Sequence, residues 1–275
     1  MATKPKKLRW YLALTASSPF LISAMFLPAY SARTQDAAVG FAKTNGSTKG
    51  PVDEKSMPFR IGETLNYHVT WAGFSSAAAV ELSVPEHRRI LGWSTWHFRA
   101  SAHTLRPFRS FLPVDDQIDS YADATTLESR QYETHLNEMG SVENQILHPS
   151  PIGQPHRAGI PVVEVLPGTL DPLGVLFVLR TVDWRQTAEF RAPVYDGEDL
   201  LEVRARREVS NETIAVDAGN FSAARISIHL YKSGVEAPQE SFTMWLANDV
   251  PRTPVLLQAE LPLGSVRVEL TFDWR

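Results

Sequence analysis

From Phe59 to the end of the chain, apolar residues recur at alternate positions in short runs, with turn signals about ten residues apart. A period of two sends successive side chains to opposite faces of a strand. A chain dominated by this pattern hides its apolar half only by building an antiparallel sheet and curving it over itself. Phe59 to Trp71 reads as one strand, with Leu65, Tyr67, Val69 and Trp71 on one face and Asn66, His68 and Thr70 on the other. Ala72-Gly73-Phe74 reads as a turn, after which Val80, Leu82 and Val84 alternate with Ala79, Glu81 and Ser83. The pattern continues over Trp93–Thr104, Gln117–Tyr121, Ser129–Asn137 and Ser141–Leu147. It resumes over Thr187–Pro193, Leu200–Val209, Phe221–Tyr231, Glu240–Ala247, Pro254–Leu261 and Ser265–Trp274.

One segment breaks it. Asp171 is a good N-cap, Pro172 suits the first helical position, and Leu173, Leu176, Phe177 and Arg180 follow helical spacing. The spacing predicts a short helix packed across the sheet. Pro149 to Pro161, with four prolines and two glycines, reads as a loop. The expected fold is all-β and mainly antiparallel: a strongly curved sheet or incomplete β-barrel with one or two short helices, in a single β-rich domain over residues 58–275.

Residues 1–31 have the layout of a secretory signal peptide. Lys4, Lys6, Lys7 and Arg9 form the basic region, Trp10 to Leu27 the apolar one, and Ala29-Tyr30-Ser31 a small-residue cleavage site. Residues 32–57, with Gly40, Asn45-Gly46-Ser47 and Lys49-Gly50-Pro51, read as a flexible linker. The expected location is outside the cytoplasm, in the periplasm or cell envelope, with membrane contact only through an uncleaved leader. The chain has no cysteine, which excludes disulfides, thiolate metal sites, cysteine nucleophiles and lipidation of an N-terminal cysteine. Without residues 1–31, which hold four basic and no acidic residues, 23 basic face 31 acidic, a net of −8. Nucleic acid is therefore not an expected partner.

Residues that carry chemistry are present without a catalytic pattern. His97 and His103 share a strand face but stand about 20 Å apart along an extended strand, too far to hold one ion. No His-x-His or His-Glu-x-x-His spacing occurs, so no metal site is expected. Asp115, Asp116, Asp119 and Glu133 offer paired carboxylates, and a hydrolase reading requires two of them to converge in a cleft. No Gly-x-Ser-x-Gly elbow, phosphate-binding loop or dinucleotide fingerprint occurs. The expectation is a protein with no cofactor and no catalytic residues. Aromatic residues carry more information. Tyr67, Trp71, Trp96 and Phe98 fall on the apolar faces of their strands and are the expected lining of a cleft for an apolar small molecule or lipid. The alternative is an assembly role, with a surface patch or sheet edge meeting another envelope protein.

Four stretches share a resemblance. Pro58-Phe59-Arg60-Ile61-Gly62-Glu63-Thr64-Leu65-Asn66-Tyr67-His68-Val69-Thr70-Trp71 with Gly73 resembles the opening of the exported bacterial family called domain of unknown function 3108. Asp171-Pro172-Leu173 to Leu179-Arg180 is similar to its mid-chain helix, and Asn220 to Ile226 to the start of one of its strands. Trp245-Leu246-Ala247-Asn248-Asp249 with Arg252-Thr253-Pro254-Val255 resembles its closing hairpin, which is also similar to the end of half-barrel envelope proteins that carry lipoproteins or sense lipids. The pieces stand in family order over about residues 58–273. The resemblance implies an exported, mainly antiparallel β-protein; it implies no catalytic residues.

Overall fold

The structure is a computed structural model that describes residues 57–154, 159–237, 241–261 and 264–272. The predicted leader, the linker up to residue 56 and Trp274 lie outside the described residues. The first half of the chain forms β1 (Thr64–Trp71), β2 (Phe74–Ser83), β3 (His87–Ile90), β4 (Trp93–Thr104), β5 (Asp115–Asp123), β6 (Ser129–Glu138) and β7 (Ser141–Leu147). Short strands β8 (Pro149–Pro151) and β9 (Val163–Val165) pair in parallel, and α1 (Pro172–Thr181) follows. The second half forms β10 (Glu189–Tyr195), β11 (Leu200–Val216), β12 (Gly219–Lys232), β13 (Val235–Glu236), β14 (Phe242–Ala247), β15 (Pro254–Leu261) and β16 (Gly264–Leu270).

Fourteen strands make one antiparallel sheet, which does not close into a barrel. Its order is β10-β11-β12-β14-β15-β16-β1-β2-β4-β5-β6-β7, with β3 added to β4 and β13 to β12. Two meanders are thus joined where β16 meets β1, in the register Tyr67–Leu270 to Trp71–Val266. The mid-chain strands β7 and β10 are left at the two edges. Between them the chain crosses the concave face as α1, and the turn at Gly197 reaches the side chains of Gln145 and Leu147 across the gap.

The alternation predicted the strand pattern closely, and where it erred the cause is local. The first strand begins at Thr64, not Phe59. Gly62, at φ +84°, turns the backbone there, Glu63 N–H bonds Arg60 O, and the Phe59 ring swings into the core. Ala72 and Gly73 both take positive φ, the backbone hand that a two-residue hairpin needs, so β2 starts directly at Phe74. β11 runs to Val216, seven residues further than the pattern predicted. Register shifts between Arg207 and Glu212 interrupt its pairing, and the hairpin tip lies against the outer side of the sheet centre. There Ala218 N–H bonds Leu270 O at 2.9 Å, and Trp245 Nε1 donates to Glu212 at 2.7 Å. Trp245 points away from the interior by alternation, yet it is buried under this arm.

Candidate functional site

The helix decides what the concave face can hold. Asp171 caps it: one carboxylate oxygen accepts from Gly174 N–H at 2.7 Å, the other from Ser120 and Ser129 on β5 and β6 at 2.6 and 2.7 Å. Burial raises the Asp171 pKa against the pull of those hydrogen bonds. All residues from Leu173 to Arg180 are buried, so the helix is apolar almost all round and lies within the sheet's curve. Its last turn is tied down by a buried guanidinium. Arg180 donates to Glu63 at 2.6 Å, to Pro58 O at 3.1 Å and to Pro251 O at 3.1 Å. Arg252 returns the favour to the helix end by donating to the carbonyls of Arg180 and Thr181. Asp249 holds the same loop through Thr253. Opening strand, helix and closing hairpin thus meet at one cation.

This places three of the four predicted lining residues, Tyr67, Trp96 and Phe98, among packed side chains. Phe98 is stacked by Phe177 of α1 at 3.9 Å between ring centroids. Phe59 meets Trp96 and Phe98 edge-on at 5.1 and 5.2 Å. Trp96 and Phe98 are therefore buried among the chain's own rings. Tyr67 is buried as well, its hydroxyl donating to Pro254 O at 2.8 Å and its pKa raised chiefly by burial. Trp71 is half-buried at one rim, 5.7 Å from Phe108. None of the four lines the cavity found beside the C-terminal end of the helix.

That cavity, of about 430 Å³, opens at the far end of the helix. Its floor is Ala224 of β12 and Leu246 of β14, cross-strand partners on the concave face. Trp184, held by a bond from its ring N–H to Leu179 O at 2.9 Å, forms one wall, and Met57 and Pro58 line it too. Arg207 pins the Trp184–Arg185 backbone through both carbonyls. Polar groups ring the mouth: Asp183, Arg185, Asn248, Asp249 and Arg252, with Val250 at the lip, 89% exposed. The segment after the helix and three of the quoted motif stretches converge here. Individually their residues read as a strand end and loops, and Trp184 carried no signal beyond being aromatic.

The carboxylates converge elsewhere, on the convex face of the first half. Asp119 and Glu133 are direct cross-strand partners, and with His135 they offer ligand atoms within 4.8 Å of one another. Their lone pairs already have protein donors. Asp119 takes His97 at 2.5 Å, Arg99 at 2.7 Å and Gln117 at 2.6 Å, while Glu133 takes Gln131 and His135. Burial opposes the Asp119 charge, but those bonds outweigh it and hold the carboxyl below its usual range. The bond to Asn144, and then Glu133, push His135 up towards its protonated form, which has no lone pair to give a metal. Asp115 is engaged by Arg109 in a bidentate pair, and Asp116 accepts from Asn137 N–H. The residues form a charge-compensated network on a sheet face.

Fold and site together define a class: an antiparallel, barrel-like sheet wrapped incompletely around one buried helix, with a pocket at the helix's C-terminal end. The family model for the protein of unknown function DUF3108 matches residues 66–271, and the chain belongs to that family. No curated protein matches it. Among solved structures it is similar to a β-barrel-like protein of domain of unknown function DUF1849 from Brucella abortus, at 9% identity and TM-score 0.47, covering 77% of this chain and 98% of that one. It is also similar to a candidate lipoprotein from Parabacteroides distasonis, at 14% identity and TM-score 0.33, covering 78% and 95%. A third is a candidate exported protein with a YmcC-like fold from Bacteroides fragilis, at 10% identity and TM-score 0.34, covering 80% and 98%. Among the described residues no helix is long and apolar enough to cross a membrane.

Proposed function

We propose that this chain is an exported, non-catalytic envelope protein that binds an amphipathic small molecule in the cavity between the α1 C-terminus and strands β12 and β14. The observation that carries the reading is the cavity itself. Its volume of about 430 Å³ falls within the few hundred Å³ to 1,000 Å³ of small-molecule sites. Trp184, Met57, Leu246 and Ala224 offer an apolar interior, and Arg185, Arg252, Asp183 and Asp249 stand around its mouth. Such a division suits a ligand with an apolar body and a polar or charged head. Phe98 supports the site from behind by stacking on Phe177 of the helix, with Trp96 packed against Phe59 beside it; Tyr67 is tied to Pro254, and Trp71 stands apart. The location follows from the leader-like residues 1–31.

Binding of an amphipathic anionic fluorophore, anilinonaphthalene sulfonate, tests the site. Full-length protein is expected to bind it saturably with one site, and Ala224→Phe, which fills the floor, to weaken binding at least tenfold while the far-UV circular dichroism stays unchanged. Native mass spectrometry of protein purified from the envelope is expected to show a ligand adduct that the variant lacks. Equal binding by the variant, with no adduct on the parent, would end the reading.

A further inference from the structure

The two edges of the large sheet are treated differently. At β10 the C-terminal part of the edge is covered by Leu170: its N–H bonds Pro193 O, and its carbonyl accepts from Tyr195 N–H, both at 2.9 Å. At β7 no described residue other than those of β6 makes a backbone hydrogen bond to Ser141–Leu147. Every residue from Ser141 to Ile146 is exposed, including Val142 at 66% and Ile146 at 55%. The strand contains no proline, lysine or arginine, the residues that ordinarily protect an open edge. The Gly197 turn approaches β7 through the side chains of Gln145 and Leu147, which share the concave face with Thr134 and Tyr132 opposite them.

We infer that β7 is a docking edge for a second copy of this chain, the two β7 strands pairing antiparallel about a two-fold axis at Asn144. The sequence of the strand is self-complementary in that register and in no neighbouring one. A centre at Asn144 sets Val142 against the partner's Ile146 twice on the convex face, a favourable pairing of β-branched residues. It sets Glu143, the strand's one charge, against the partner's Gln145. A centre at position 143 would oppose Glu143 to the partner's Glu143, and a centre at 145 would oppose Asn144 to the partner's Ile146. An isologous contact of this kind closes on itself and joins the two large sheets edge to edge. It is independent of the cavity.

The absence of cysteine makes the test clean. Asn144→Cys in the full chain is expected to give a disulfide-linked dimer on mild oxidation, because only a two-fold at this residue brings the two thiols together. Val235→Cys, also exposed (71%) but on β13, is expected to give no disulfide-linked dimer although it still pairs through β7. In sedimentation the parent is expected as a dimer. Val142→Lys with Ile146→Lys, which places lysine opposite lysine twice, is expected to weaken association by on the order of tenfold or more, with fluorophore binding unchanged. A parent that stays monomeric at high concentration, crosslinking at 144 no better than at 235, or a dimer indifferent to the lysines would each overturn the inference.

Discussion

Pro58 and Phe59 are neighbours in the chain and face opposite fates. Phe59 closes the aromatic stack with Trp96, Phe98 and Phe177, where the concave space is full; Pro58 lines the cavity, where it is not. Both ends draw on the same segments, the opening stretch and the helix with its following loop. The difference is side-chain size on the sheet. Phe98 rises from β4 to meet Phe177 of the helix, with Trp96 beside it against Phe59, whereas Ala224 on β12 leaves a gap beneath Trp184. A sheet that wraps a single helix can therefore seal one end and hold the other open through a few choices of residue, with Arg180 fixing the helix between them.

Removing that fixture is expected to have the largest effect. Arg180→Ala strips Glu63 of its partner and leaves the carbonyls of Pro58 and Pro251 without their donor, for a loss of about 3–5 kcal/mol in urea unfolding. A loss below 1 kcal/mol would mean that the two ends do not depend on the helix position. A second experiment sets the ends against each other by adding the same bulk to each. Ala100→Leu, on the filled side beside Phe98, is expected to cost about 1–3 kcal/mol through overpacking. Ala224→Leu is expected to be close to neutral in stability, because its side chain enters empty space. Equal costs would erase the distinction.

The helix cap supplies a pH readout. Burial raises the Asp171 pKa above its ordinary 3.8, so the folded protein holds this proton more tightly than the unfolded chain does. The contribution of this group is then greatest below pH 3.8 and declines as pH rises through the raised folded value. Asp171→Asn keeps a good cap and cannot titrate, so it is expected to remove that decline from the acid limb of a stability–pH curve. An unchanged slope would assign that decline to other groups whose pKa rises on folding. The smallest effect is expected at the lip. Val250→Asp is fully tolerated in melting, within about 0.5 kcal/mol, while reducing affinity for an anionic fluorophore. No change in affinity would exclude the lip from the binding path.

Much of this fold was legible in the sequence, for a physical reason. Strands β4, β7 and β15 begin and end where alternation placed them, because alternation records which face is buried. Asp171 and Pro172 announced the helix because caps and first-turn prolines act within a few residues. The inward direction of Tyr67, Trp96 and Phe98 was legible for the same local reason. What faces them was not: Phe177 is about eighty positions away from Trp96 and Phe98, and no local pattern says that its ring fills the space they enclose. The cavity was less legible still. Ala224 and Leu246 look like any strand residues, and a void is marked only by what fails to meet across it. The outward-pointing Trp245 is the converse case, since alternation gave no warning that the β11–β12 arm covers it.

The seam between β1 and β16 bears on how the molecule is made. Among the described residues β1 is the first strand in chain order, and its partner on one side is the last. Each meander can pair locally as it emerges, but the sheet becomes continuous only after about two hundred further residues have followed. Closing so long a loop costs little more than closing a shorter one, yet it delays the step until the whole chain is present. Up to that moment β1 carries a bare backbone edge, which any other strand can bind. A sheet with this topology becomes continuous only once β16 is present, with its first and last described strands side by side at its middle.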